Sequence, residues 1–474
     1  MARIRYDLTI IGGGSGGLTA ARAAQALGAN VLLIDKEQLG GDCLYYGCVP
    51  SKSLLHIARI VQQSREHTRL GFTSAPPGID ITKVNAYVQG IIKRVEKTEQ
   101  IYVEGVTIRY GHVSFKSPTT LLLNGEEITS RSTLIATGSH PAVSQIAGLA
   151  ETGYLTNEDV FDLAALPASL IIVGGGPVGV EMGQAFARLG ASVTLIQGPE
   201  RILPREDPEV SAIIARTLRT EGVTIVTGTR LIKAHRRGDK KVIVAQQRGR
   251  ELTFEADELL LALGRRPNVE GLDLAAAGVD YSERGITVDA YLQTSRPNIL
   301  AIGDVIGGYL FSHVAAYQAG IAVRNALLPI GKKKVDYRVV PWCTFTDPEA
   351  AHVGLTPSEA EELHKQTRVV TFPWADIDRA QTENETTGFI KLVLAGKKDT
   401  IVGAHMVGGR AGELLGEIVL AMQHHLTIND IFNAIHTYPT MSTGLQQATY
   451  EAYLEGASAT SNRRIVRAIL RLRR

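Results

Sequence analysis

Two stretches of the chain repeat one pattern of apolar and polar positions. A short apolar run from Asp7 to Ile11 leads into Gly12-Gly13-Gly14-Ser15-Gly16-Gly17. An Ala-rich stretch continues to Leu27, Gly28 stops it, and a second apolar run, Val31 to Ile34, ends at Asp35. A shift of 162 residues reproduces the pattern: Leu170 to Val173, then Gly174, Gly176 and Gly179, a helical stretch to Leu189, Gly190, and Val193 to Ile196 ending at Gln197. Each copy predicts strand, glycine turn, helix and strand, the βαβ unit that binds a dinucleotide.

The glycines have separate tasks. Gly12 and Gly174 permit the tight turn, Gly14 and Gly176 let backbone approach a pyrophosphate, and Gly17 and Gly179 let helix and strand pack closely, which places phosphate at a helix N-terminus. One such turn is weak evidence; two at matched spacing between strand and helix are strong. The copies differ where they meet the ribose. Asp35 accepts from ribose hydroxyls, as an adenosine without a 2′-phosphate requires, and this fits FAD. Gln197 removes the carboxylate that would repel a 2′-phosphate, and Arg201 follows as a candidate phosphate partner. NADPH is therefore expected over NADH at the second site.

At 474 residues the chain is too long for one core, and ~150 residues per domain gives about three. Hydrophobic content of 44%, charged content of 21% and net charge +2 exclude a disordered or collagen-like chain and give no basic footprint for nucleic acid. The N-terminus lacks a signal pattern, and no apolar run approaches the ~20 residues a spanning helix needs. Three cysteines are too few for a disulfide scaffold and suit a reducing cytoplasm, the expected location. Cys343 stands alone and is expected in packing.

The other two cysteines lie in Gly40-Gly41-Asp42-Cys43-Leu44-Tyr45-Tyr46-Gly47-Cys48-Val49-Pro50-Ser51-Lys52. Five residues of regular helix rise ~7.5 Å, beyond the usual Cα span of a disulfide, so a bridge needs a distorted turn. Gly47 and Pro50 offer the means. A redox-active pair is favoured over a structural bridge, and over a zinc site, because no second pair completes four ligands.

With these motifs in order, the chain resembles, over roughly its first 455 residues, the pyridine nucleotide-disulfide oxidoreductases, which include dihydrolipoamide dehydrogenase, glutathione reductase and mercuric reductase. The resemblance implies an α/β fold: two Rossmann-like dinucleotide-binding domains, for FAD and NAD(P), and a C-terminal α+β dimerisation domain. It implies that Cys48 lies against the flavin as the charge-transfer thiolate, that Cys43 exchanges with substrate, and that Lys52 sits near the flavin N5 paired with Glu181. Thr137-Gly138 and Gly264-Arg265-Arg266-Pro267-Asn268 are similar to the family's strand-crossing signatures, and Gly303-Asp304 to its second FAD motif, with Asp304 on the ribitol. Residues 1–147 and 271–338 would form the FAD-binding and central part, 148–270 the NAD(P) domain, 339–458 the interface domain of a homodimer and 459–474 a basic tail.

The pattern breaks near the end. Relatives that reduce disulfides close with His-Pro-Thr and a glutamate; here Tyr438-Pro439-Thr440-Met441-Ser442-Thr443 puts Tyr438 at the His position and Thr443 at the Glu position. A phenol with pKa near ~10 accepts protons poorly at neutral pH. His436 is expected to face away from it. Mercuric reductases resemble this chain in the Tyr438 motif, in Tyr154 and in Leu203-Pro204-Arg205-Glu206-Asp207-Pro208. A soft metal ion bound as a dithiolate needs no proton relay. Against that reading, no CxxC precedes Asp7 and no cysteine pair lies near the end. The expected activity is electron transfer from NAD(P)H through flavin to Cys43/Cys48 and on to a small-molecule or metal-ion acceptor, mercuric or another thiophilic ion. The alternatives are a dihydrolipoamide dehydrogenase-like enzyme and a diaphorase acting straight from the flavin. No metal of the protein's own is expected. The tail, with six arginines after Asn462, is expected to fray or dock as a helix, with weak contact to a membrane surface or a protein as the alternative.

Overall fold

The computed structural model describes residues 6–73, 78–459 and 469–471. Two compact units appear, one formed by Met1–Gly198 with Gly228–Asp336, the other by Pro199–Thr227 with Tyr337–Arg474. Residues 199–227 fall within the range expected for the second dinucleotide domain, and they cluster with the C-terminal residues.

In the first unit the first repeat builds a parallel sheet. Tyr6–Ile11 runs between Val31–Asp35 and the long strand Glu126–Ile135, which also pairs in parallel with Ile299–Ala301. The N-terminal half of Glu126–Ile135 turns outward to pair antiparallel with Thr120–Leu123. Leu8, Ile10, Leu33, Leu134 and Leu300 bury one face against helix Ser15–Ala26, whose Ala20, Ala21 and Ala24 are small enough for close packing. The second repeat is built alike: Ser169–Val173 lies between Ser192–Ile196 and Glu258–Leu261, all parallel, with helix Pro177–Leu189 following the glycine turn. An antiparallel meander, Thr229–Arg237, Lys240–Gln247 and Arg250–Ala256, precedes its last strand.

The second unit centres on a five-stranded antiparallel sheet in the order Pro341–Thr344, Glu349–Gly354, Thr400–Gly408, Phe389–Ala395, Thr367–Pro373. Helices Ala411–Gln423 and Thr443–Ala459 contribute Leu415, Ile418, Leu445 and Ala448 to its core. Every residue of Phe389–Ala395 is buried. The polar one among them, Lys391, donates to Asp207 at 2.8 Å, and both are almost fully buried. Glu206 accepts from the Trp342 indole N–H at 2.6 Å, with the Arg205 guanidinium over that ring. These contacts hold the 203–208 motif within this unit.

Among the described residues no helix is long and apolar enough to cross a membrane. Of the tail arginines, Arg463, Arg464, Arg467, Arg473 and Arg474 lie outside the described residues, so the expected behaviour of the tail does too; Ile469 and Leu470 are exposed.

Candidate functional site

The two glycine turns have the same geometry. Gly12 and Gly174 sit at φ +104° and +116°, and a Cβ on either would lie 2.3 and 2.1 Å from the carbonyl oxygens of Ala136 and Ala262. A Cβ on Gly17 or Gly179 would meet the carbonyl of that first glycine at 1.8 Å. Only glycine fits these four positions. Gly14 and Gly176 are the N-caps of the two helices and place no side chain on the first-turn amides, which leaves those donors to a phosphate. A Cβ on Gly176 would meet nothing within 4 Å, so backbone stands open to an approaching pyrophosphate.

Asp35 and Gln197 also correspond. Asp35 Oδ2 accepts from Gly13 N–H at 2.7 Å, and Gln197 Oε1 accepts from Gly175 N–H at 2.7 Å. Each therefore braces its own glycine turn, and the Gln197 amide nitrogen remains a donor where Asp35 is only an acceptor. Arg201 gives Nη2 to the carbonyls of Pro204 and Glu206 at 2.8 and 3.1 Å.

Cys43 lies in a short helix, Gly41–Tyr45, and Cys48 opens a longer one, Cys48–Glu66. The predicted distortion is this break at Tyr46-Gly47. A Cβ on Gly47 would lie 3.1 Å from Cys43 Cα, a tight contact, so the close return of the chain favours glycine. Pro50 sits in the first turn of the second helix, where its missing N–H costs nothing. Both cysteines are free thiols, Cys43 half-buried and Cys48 exposed. Their mutual hydrogen bond divides them. It pulls Cys48 down to about 6 against the opposing effect of burial, with Lys52 and Ser312 adding to the shift; it pushes Cys43 up, and burial pushes it further. This asymmetry favours a thiolate at Cys48 and a protonated Cys43.

Lys52, one helical turn after Cys48, gives Nζ to Glu181 Oε2 at 2.8 Å. Glu181 is 3% exposed and comes from the second dinucleotide helix, so the expected pair is formed. Thr137 and Asn268 exchange hydrogen bonds, both 2.8 Å, and Asn268 N–H donates to the Gly138 carbonyl, which joins the two strand-crossing signatures. Gly264 continues that junction through its carbonyl, which accepts from Ala142 N–H. Gly303 donates its N–H to Gln318 Oε1 at 2.7 Å. Asp304 accepts from Ser139 Oγ at 2.6 Å and lies 3.6 Å from Arg265 Nε; burial raises its pKa, and Ser139 and Arg265 oppose that.

Sequence reasoning missed several partners. Arg265 Nη2 stands 3.1 Å from Asp42 Oδ1, and Asn157 donates to the same oxygen and to the Tyr46 carbonyl, so the residue before Cys43 is held from two sides. Arg265 thereby links Asp42 to Asp304. Ser312, the first residue of helix Ser312–Leu327, places Oγ 3.8 Å from Cys48 Sγ. No spacing rule points to it, because 264 residues separate the two.

The tyrosines part company. Tyr154 is partly buried against the core of the second repeat, beside Leu149, Ile171 and Leu259. Tyr438 is 69% exposed and donates its phenol O–H to Asp378 Oδ2 at 2.9 Å, a bond that raises the phenol pKa. His436 has a different partner from Tyr438: it is half-buried, with Nε2 2.9 Å from Glu417 Oε1. A regular strand would put positions two apart on one face; the bend at residues 438–440 separates these two.

Two glycine turns, a cysteine pair at a helix break and a lysine–glutamate pair between them define a family, and residues 6–320 match its model, described as pyridine nucleotide-disulphide oxidoreductase. The chain belongs to that family. Residues 340–449 match the dimerisation domain of the pyridine nucleotide-disulphide oxidoreductases. Members of the family use FAD and NAD(P)H, and the bare helix N-caps, Asp35 and Asp304 fit such groups. A mercuric reductase of Staphylococcus aureus is 38% identical over 94% of this chain and 82% of its own length. A dihydrolipoyl dehydrogenase of Thermus scotoductus is 37% identical over 94% of this chain and 96% of its own. The solved HOCl-induced flavoprotein disulfide reductase RclA from Escherichia coli superposes with TM-score 0.84 at 29% identity, covering 94% of this chain and 99% of that one, and a Cu(II) complex of it gives 0.83.

Proposed function

We propose that the protein is a homodimeric, NADPH-preferring reductase of a thiophilic metal ion, with Hg(II) as the acceptor. The observation that carries this is Tyr438: a phenol tied to Asp378, with its pKa raised, replaces the imidazole base that disulfide-reducing relatives need. A mercuric reductase at 38% identity and a Cu(II) complex of RclA support a thiophilic ion. Gln197, with its amide nitrogen kept as a donor, supports NADPH.

FAD, when bound, supplies the two-electron relay between nicotinamide and the cysteines. Cys48 is held as a thiolate with Lys52 close by, and Glu181 fixes the Lys52 ammonium. Cys43 keeps its proton until exchange. Hg(II) carried by two small thiols passes to the pair when Cys43 and Cys48 form two S–Hg bonds and both S–Hg bonds to the carriers break. One carrier departs with the Cys43 proton and the other as thiolate. Overall, NADPH and Hg(II) give NADP+, a proton and elemental mercury. Tyr438 is supplied to the Cys43 of a second copy, which makes the dimer part of the reading.

The test is anaerobic NADPH consumption with Hg(II) in excess thiol, run beside lipoamide, with Cys43→Ser as control. Turnover with mercury that the control loses supports the proposal. Cys43-dependent turnover with lipoamide alone overturns it in favour of a dihydrolipoyl dehydrogenase-like activity, the reading that the 37% identical relative favours. Turnover that survives Cys43→Ser marks a diaphorase.

A further inference from the structure

Tyr438 belongs to a short exposed segment that several side chains pin in place. His436 Nδ1 lies 3.0 Å from the Ala434 carbonyl and Nε2 2.9 Å from Glu417 Oε1. Gln446 gives Nε2 to the same Ala434 carbonyl at 2.8 Å, and Thr440 Oγ1 donates to the Thr437 carbonyl at 2.6 Å. The backbone around Tyr438 is thus anchored from helices Ala411–Gln423 and Thr443–Ala459. Among the described residues the side chain is held by a hydrogen bond to Asp378, at the start of helix Asp378–Glu383. That helix is tied in turn by Arg410, whose Nη2 contacts both Glu383 carboxylate oxygens at 3.1 Å.

A phenol has one proton to donate and oxygen lone pairs to offer. With its proton given to a carboxylate, the Tyr438 oxygen can act only as an acceptor, and the charge-assisted bond raises electron density on it. We propose that Asp378 is a positioning residue for the acceptor step: it holds the Tyr438 phenol so that its oxygen lone pairs are presented to the thiophilic metal ion as a weak third donor beside two thiolates. The assignment rests on the metal-reductase reading. It accounts for the loss of the base at this position, because an acceptor-only oxygen suits a cation and serves poorly as a proton relay.

The experiment uses full-length holoenzyme and the variants Asp378→Asn, Tyr438→Phe and the double variant. Asparagine keeps the shape of Asp378 and removes its charge, so a folding defect is separated from the loss of the carboxylate. With Hg(II) in excess 2-mercaptoethanol as probe, Asp378→Asn is expected to raise KM about fivefold, the effect of one net hydrogen bond, while NADPH reduces the cysteine pair at the wild-type rate. Adding Asp378→Asn to Tyr438→Phe should change nothing more. An unchanged KM, or an equal effect in the Tyr438→Phe background, overturns the proposal. Independently of any acceptor, NMR of ring-labelled tyrosine, assigned with Tyr438→Phe, should show the phenol ionising at lower pH in Asp378→Asn. An unmoved midpoint overturns the positioning role; wild-type enzyme inert to mercury but with the midpoint moved overturns the metal reading and leaves the Tyr438–Asp378 coupling intact.

Discussion

The hydrogen bond between Cys43 and Cys48 is the largest influence on both thiols, pushing Cys43 up and pulling Cys48 down. With Cys48 at about 6, nine-tenths of it is thiolate at pH ~7. Ultraviolet titration of the reduced protein should therefore show a thiolate midpoint near pH 6. Cys43→Ala removes the largest lowering contribution and should raise that midpoint; Lys52→Met should raise it less. A midpoint unmoved by Cys43→Ala would mean that Lys52 and Ser312 set the acidity instead.

The Lys52–Glu181 pair makes a second prediction. Breaking a fully buried pair costs ~3–5 kcal/mol. Water reaches Lys52, so Glu181→Gln should cost about 1–3 kcal/mol in urea denaturation of the holoprotein. Lys52→Met removes the ammonium beside the more deeply buried Glu181 and should cost more than Glu181→Gln does.

Gln197 offers a direct test of cofactor choice. Gln197→Glu keeps the acceptor for Gly175 N–H but adds a negative charge where a 2′-phosphate would lie. The ratio of kcat/KM for NADPH over NADH should fall roughly tenfold or more, about 1.4 kcal/mol. A ratio that stays constant would place the 2′-phosphate elsewhere.

How much of this was legible in the sequence depends on the range of each interaction. The βαβ units were readable because Gly12, Gly17, Gly174 and Gly179 answer to local steric demands. The order of the thiols and the Lys52–Glu181 pair followed from resemblance. Ser312 beside Cys48, and Arg265 between Asp42 and Asp304, were not readable, because nothing local marks a partner so distant in sequence. The buried Lys391 was not readable either, because its partner Asp207 is 184 residues distant.

Acid should weaken the fold through His405. Burial, then His352, lowers its pKa to about 4 from 6.5, partly opposed by its bond to the Leu355 carbonyl. Between those values the unfolded chain binds the proton and the folded one does not, so stability is lost as pH falls from about 6.5 to about 4. Denaturation midpoints across that window should slope less in His405→Gln. An equal slope would assign the acid response to other groups.

Because Asp207 leaves the sequence neighbourhood of one dinucleotide unit to neutralise Lys391, the dimerisation region is not a module that ends can be cut around. A C-terminal fragment beginning near residue 337 would carry a buried ammonium stripped of its counterion. Chimeras between relatives face the same rule: a recombination point between residues 227 and 337 separates the two charges into different parents, and only parents that agree at both positions should yield well-folded hybrids.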